Sequence, residues 1–198
     1  MRKMMTAVAM ASLLAFGTQA FAQDESPEDT PTPPVEDVLD LGTTQEPQAG
    51  QIYVAENSGD WEKRCIRAPE GQEDRCNLYQ LLSNADGQPV AEFNLFRLPE
   101  GGQAVAGANV VVPLETLLTQ QLTIVVNGGE ARRYPFAFCN EAGCVARLGL
   151  TQQEVDEFKR GANATLRLVP VAAPDEEFML TLSLAGFTAG YDGLEIVD

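Results

Sequence analysis

The chain contains no histidine, and its 198 residues carry only 13 lysines and arginines against 29 aspartates and glutamates. Without imidazole the commonest general base and the commonest metal ligand are missing, and with them every Ser-His or Cys-His nucleophile pair. Proton transfer is left to carboxylates, lysine and tyrosine. The formal charge of −16 repels nucleic acid and anionic lipid unless the few bases cluster, and no basic run exceeds two residues. No C-x-x-C pair and no D-x-D-x-D-G loop occurs, which removes thioredoxin-like redox chemistry and the calcium loop of paired helices. No cofactor, no resident metal and no nucleic-acid partner is expected. Long hydrophobic runs are also lacking, since the most apolar stretch, from Thr6 to Phe16, is shorter than the roughly 20 residues a bilayer span requires.

That short run reads as part of an address. Arg2 and Lys3 precede it, and Ala20-Phe21-Ala22 follows with the small-x-small pattern that signal peptidase cleaves. Residues 1–22 are therefore expected to be a signal peptide removed after Ala22, with no membrane-spanning segment in the mature form. The first cysteine is Cys65, so none stands at the cleavage point to take a lipid. Export implies an oxidising location, periplasmic or secreted and envelope-associated.

Residues 23–51 change character. Eight acidic residues, no basic ones and five of the chain's 12 prolines fall here. Such a composition buries too little apolar surface to offset ordering entropy, which predicts an acidic, proline-rich disordered tether. With Arg2 and Lys3 removed, 11 bases face 29 acids and the mature charge is −18; residues 52–198 alone set 11 bases against 21 acids, or −10.

Beyond Ile52 the pattern becomes short apolar runs separated by turn residues, which predicts an all-β domain. Strands are expected at Trp61–Ala68, Arg75–Leu82, Val90–Leu98, Ala108–Pro113, Gln121–Val126, Ala131–Phe138, Ala164–Val171 and Glu177–Leu184. Asn127-Gly128 marks a hairpin, because both central residues of a type I′ turn need positive φ. One helix is expected at Gln152–Arg160, opened by a Thr151/Glu154 capping box and closed by Gly161 in the left-handed conformation. Its apolar face holds only Val155 and Phe158, which places it on the rim as a connector. Two packed antiparallel sheets fit these strands, with a closed barrel as the other solution.

Four cysteines in an exported chain allow three pairings, and spacing alone does not choose. Local geometry favours Cys65 with Cys76, flanking a strand-turn-strand segment, and Cys139 with Cys144, bracketing a turn that contains Gly143. Loop entropy instead favours a crossed arrangement, since each local loop contributes only about 2 to 3 kcal/mol. A Cys₄ zinc site competes, but the spacings lack paired C-x₂₋₄-C knuckles.

Asp60-Trp61 followed by Cys65, then Cys76-Asn77-Leu78-Tyr79-Gln80, Cys139 to Gly143-Cys144, the helix before Gly161, and Gly186-Phe187 ahead of Leu194 form an ordered set. In order and spacing it resembles the invasion-associated locus B (IalB) family of exported alphaproteobacterial proteins, over about Ser58 to Leu194. The resemblance implies an immunoglobulin-like antiparallel β-sandwich with one short connector helix, associated with the envelope and without established catalytic residues. A possible envelope or host protein partner follows from the family's link to invasion.

Chemistry-bearing residues outside the cysteines are sparse. Glu154 and Glu157, with Asp156 beside them, and the triplet Asp175-Glu176-Glu177 supply carboxylate pairs of the kind glycoside hydrolysis uses. The first two are expected on an exposed helix face and the triplet at a strand entrance. Arg132-Arg133 beside Tyr134 suit surface ion pairing. Trp61, Phe136, Phe138 and Phe187 are expected in the core or at its edge. Three readings result: a non-catalytic envelope interaction domain, a small carboxylate hydrolase, or a structural or stress-protective periplasmic protein. A cleft with two facing carboxylates favours the second; an exposed apolar patch or an unpaired sheet edge favours the first.

Overall fold

The computed structural model describes residues 42–84 and 86–197. The expected signal segment, its cleavage site and the tether as far as residue 41 lie outside the described residues. The chain divides into two units between Thr44 and Gln45, and every strand and helix of the described residues belongs to the second.

Five consecutive antiparallel strands, β1 (Ile52–Ser58), β2 (Trp61–Ile66), β3 (Arg75–Ser83), β4 (Pro89–Arg97) and β5 (Ala106–Val112), form a meander. A single 3₁₀ turn at Leu118–Gln120 leads to the hairpin of β6 (Leu122–Val126) and β7 (Ala131–Tyr134), after which β8 (Phe136–Asn140) and β9 (Gly143–Leu150) follow. Helix α1 (Gln152–Arg160) precedes β10 (Asn163–Leu168) and β11 (Phe178–Ser183), and a second short helix, α2 (Phe187–Asp192), comes last. One sheet has seven strands in the order β1-β2-β3-β4-β5-β9-β8, and the other has four, β11-β10-β6-β7. The fold is the expected all-β sandwich, built, among the described residues, with two helices rather than one. Among the described residues no helix is long and apolar enough to cross a membrane.

Alternation along each strand sends one set of side chains inward. Leu78, Leu82, Phe93, Leu95, Val110 and Val112 from the large sheet meet Leu122, Ile124, Leu166, Leu168, Leu180 and Leu182 from the small one in one buried cluster. Burial of this kind, at roughly 25 cal/mol per Å² of apolar surface, is the main force holding the layers together. Trp61 sits in the cluster with its ring edge-on to Phe93 at 5.9 Å and to Phe187 at 5.4 Å. Its indole Nε1 donates to the Ser183 carbonyl at 2.9 Å. Gln80 forms a paired contact with the same residue, donating to that carbonyl at 3.0 Å and accepting from the Ser183 amide at 2.8 Å. Two polar side chains of the large sheet thus tie down β11 of the small one without leaving a buried polar atom unmatched.

Gly186 and Phe187 belong to this closure. Gly186 has φ 84°, and a Cβ there would lie 2.0 Å from the Ser58 carbonyl oxygen, so only glycine allows the approach. Phe187 then opens α2 fully buried.

Three sequence expectations change. The run expected as one strand from Ala131 to Phe138 is broken at Pro135, where the chain leaves the small sheet and enters the large one; proline has no N–H for either ladder. Helix α1 is no mere rim connector, because Val155 and Phe158 are both buried in the core cluster and Phe158 packs edge-on to Phe187 at 5.4 Å. Gly161 closes it at φ −77°, in extended rather than left-handed backbone. The capping box and the Asn127-Gly128 turn form as expected, the latter with φ 48° and 70° and a Gly129 amide donating to the Val126 carbonyl at 2.8 Å.

Candidate functional site

The cysteines sit on neighbouring strands. Cys65 on β2 lies opposite Cys76 on β3, with the sulfurs bonded at 1.97 Å, and Cys139 on β8 lies opposite Cys144 on β9, bonded at 2.02 Å. All four are consumed as disulfides, and no cysteine is free. Both pairs close a strand-turn-strand unit, and neither lines the hollows described below.

Four of the six carboxylates singled out in the sequence, Glu154, Asp156, Glu157 and Glu177, are engaged by neighbouring groups. Glu154, expected at the surface, is buried at 4% exposure. Its Oε2 accepts from the Thr151 backbone N–H and hydroxyl, each at 2.7 Å, while Oε1 accepts from the Tyr134 hydroxyl at 3.0 Å and pairs with Arg132 Nε at 3.1 Å. Burial works to raise its pKa, but the Thr151 bonds, the Tyr134 bond and the Arg132 charge together outweigh it and hold the carboxyl below the usual glutamate value. The reason for its burial is the cap itself: a residue that must reach back to Thr151 turns inward beneath β7. Burial and the adjacent Glu154 charge push the Tyr134 hydroxyl far up. Arg132 thus makes the ion pair expected of it, with a partner that is internal. The hollow beside these groups measures only about 10 Å³, room for about one water. Asp156 and Glu157 are engaged by Gln152 and Gln153 along the helix at 2.8 and 3.0 Å, and Glu177 pairs with Arg167 at 2.5 Å.

The other face of the large sheet is differently made. Asn94 on β4, Asn109 on β5 and Arg147 on β9 are direct register neighbours on three successive strands, all on the side away from the core. Tyr79 on β3 continues this row, lying opposite Asn94, and the Arg64 guanidinium covers its ring at 3.2 Å. Apolar groups border the row on both sides. Phe96, lying across Gly107, stands on one, and Val111, Val145 and Phe138 stand on the other, with the exposed carboxylate Glu92 opposite Val111 at the end of that border on β4. The result is an open groove of about 400 Å³ running across the strands, with Asn77, Asn94, Asn109 and Arg147 as its polar groups and no carboxylate in its lining.

These polar groups are only partly used within the protein. Asn77 Nδ2 donates to Asn94 Oδ1 at 3.1 Å. Among the described residues the Asn109 side-chain amide makes no hydrogen bond and Arg147 has no ion-pair partner, its guanidinium standing 5.2 Å from the Phe138 ring centroid. Asparagine is disfavoured in strands, so in-register asparagines on adjacent central strands are a cost to the sheet that packing does not repay. Beside the groove, and among the described residues, β8 ends the sheet with an unpaired edge and no charged side chain. Edge strands are usually blunted by charge or covered. Phe138 is 43% exposed here, outside the core or core-edge position expected for it, because a register shift between Phe136 and Phe138 sets Phe138 opposite the outward-facing Val145, while Phe136, opposite the inward Ala146, packs on the core. A second, smaller hollow of about 160 Å³ lies at one end of the sandwich between Val90, Pro113, Leu168, Val169, Pro170 and Phe178.

The groove residues carry little sequence signal. Asn94 and Asn109 lie inside runs read as strands, where an asparagine facing out is indistinguishable from solvated surface until registers are known. Their improbability in strand centres was the one available clue.

Comparison with known proteins supports the fold and extends it. The structure matches the crystal structure of invasion associated protein B from Bartonella henselae with a TM-score of 0.58 at 22% identity, covering 68% of this chain and 89% of that one. Identity at that level speaks for the fold alone. No curated protein matches the chain. The family model of invasion associated locus B (IalB) protein matches residues 61–195, from Trp61 in the core to Glu195 after α2, and on that match this chain belongs to the invasion associated locus B family.

Proposed function

We propose that the chain is an exported, non-catalytic interaction domain of the cell envelope, acting in the periplasm or at the cell surface. Residues 1–22 are read as the signal peptide, 23–51 as the acidic tether and 52–198 as the folded domain. Two disulfides support a location outside the cytoplasm, where they persist. The observation that carries the interaction reading is the outer face of the large sheet, where an open groove with unspent polar groups adjoins an uncharged free edge. The hydrolase reading loses its best residue, since every acceptor position of Glu154 is occupied in holding α1 and its low pKa leaves no proton to give. Placing a photocrosslinking amino acid at Phe138 in the native envelope tests the proposal. Crosslinks from Phe138 that are absent from the loop residue Glu100 are expected; equal labelling at both positions, or none, leaves the structural or stress-protective reading.

A further inference from the structure

The groove across the large sheet has a periodicity that bears on its ligand. Neighbouring strands lie about 4.8 Å apart, so the row formed by Asn94, Asn109 and Arg147 presents a polar group at about that interval along the groove. A polymer lying across the strands meets this row in step only if its own repeat is similar. The length of one pyranose unit is close to that interval, and because successive units of a β-1,4 chain turn over, one face of the chain offers like groups at every second strand, in step with Asn94 and Arg147. An extended peptide repeats its side chains on one face at roughly 6.7 Å and runs out of step within two contacts.

The chemistry of the lining agrees with the spacing. Side-chain amides offer a donor and an acceptor edge side by side, which suits hydroxyls and acetamido groups and is left unused at Asn109. Phe96 and Phe138 present apolar ring surface at the two borders, the partner that the C–H faces of a sugar require. Charge decides between classes of glycan. The folded region carries 11 bases against 21 acids, or −10, which repels a polyanionic chain. The groove itself has no carboxylate and one unpaired guanidinium, so a neutral, oxygen-rich chain is the complement, with Arg147 donating to its oxygens.

We propose that the outer face of the seven-stranded sheet binds a neutral, amide-bearing glycan strand laid across β4, β5 and β9, recognised by Asn94, Asn109 and Arg147 between Phe96 and Phe138. The inference rests on the interaction reading above and names its ligand class.

Titration of isotope-labelled mature chain, both disulfides intact, with the hexasaccharide of N-acetylglucosamine provides the test. Saturable shifts are expected at the side-chain amides of Asn94 and Asn109 and at Phe138 and Arg147. Asn109→Ala weakens binding about tenfold, the loss of one well-placed amide contact, and Arg147→Gln weakens it severalfold, with melting curves confirming that both variants fold. Absence of saturable shifts at millimolar hexasaccharide, shifts confined to other surfaces, unchanged affinity in Asn109→Ala, or tighter binding of polygalacturonate overturns the proposal. The Phe138 crosslink separates its failure from that of the broader reading. A crosslinked protein with no glycan shift removes the glycan and keeps the interaction domain, whereas neither signal removes both.

Discussion

The seven-stranded sheet presents two faces made from the same strands. On β3 to β5 its inner face carries Leu78, Leu82, Phe93, Leu95, Val110 and Val112, fully enclosed, while the same three strands turn Asn77, Asn94, Asn109 and Phe96 outward. Inside, every polar atom is engaged, as the Trp61 and Gln80 bonds to Ser183 show. Outside, among the described residues, the Asn109 amide and the Arg147 guanidinium are left without a hydrogen-bond or ion-pair partner. Inner residues answer to packing, and outer residues of this composition do not. The difference also sorts the family's residues, since Asp60, Trp61, Gln80, Gly186 and Phe187 all converge on Ser183 and its surroundings. These residues of the set therefore act in closure between the sheets, whereas its four cysteines join strands within the large one.

The strongest way to break the comparison is at Trp61. Trp61→Ala removes the largest buried ring and leaves the Ser183 carbonyl with one donor fewer, for an expected loss of about 3 to 5 kcal/mol, read from urea unfolding as a lower midpoint at unchanged slope. A neutral result would mean that the sheets are not held together there.

Next in size are the two sulfur bridges. Combined Cys65→Ser and Cys76→Ser should cost about 3 kcal/mol, and the Cys139 and Cys144 pair about 2, because the shorter loop constrains the unfolded chain less. Comparing the melting of the two double variants under the same buffer checks the order. Reduction that leaves the intact mass unchanged would contradict both bridges.

Glu154→Gln comes third, at about 1 to 3 kcal/mol at neutral pH. Its folded-state pKa lies below the unfolded one, so the stabilisation is complete above the ordinary glutamate value near 4.3 and is lost as pH falls from there through the lower folded-state value. The parent chain should accordingly lose stability more steeply below about pH 5 than the variant, whose glutamine cannot titrate. Parallel acid slopes would show that the buried carboxylate is not the group responsible.

The smallest effect belongs to the outer face. Asn109→Ala should change stability by no more than about 0.5 kcal/mol in either direction. A large destabilisation there would give Asn109 a role in the scaffold and sharpen the contrast between faces in the opposite sense.

Much of the scaffold was legible from local chemistry. The Thr151/Glu154 box, the Asn127-Gly128 turn and most strands are written in neighbouring residues, and they form at or near the expected positions. β1, β9 and α2 escaped notice. In β9 the inward residues Cys144, Ala146, Leu148 and Leu150 do alternate with Val145, Arg147 and Gly149, but small residues and glycines blur the contrast. Helix α2 has only six residues, including a glycine, too few for a periodic signal, and stands because Phe187 and Tyr191 are buried.

The amino-acid sequence by itself determined the all-β class, the helix cap and the hairpin turn, because each depends on residues within a few positions of one another. It also excluded histidine chemistry outright. Which face each strand buries, the inward turn of Glu154, the exposure of Phe138 and the alignment of Asn94, Asn109 and Arg147 across three strands were decided only in the tertiary structure. Those outcomes depend on register between segments up to about 50 residues apart in sequence, and a one-residue slip in any pairing would send the same side chains to the opposite side.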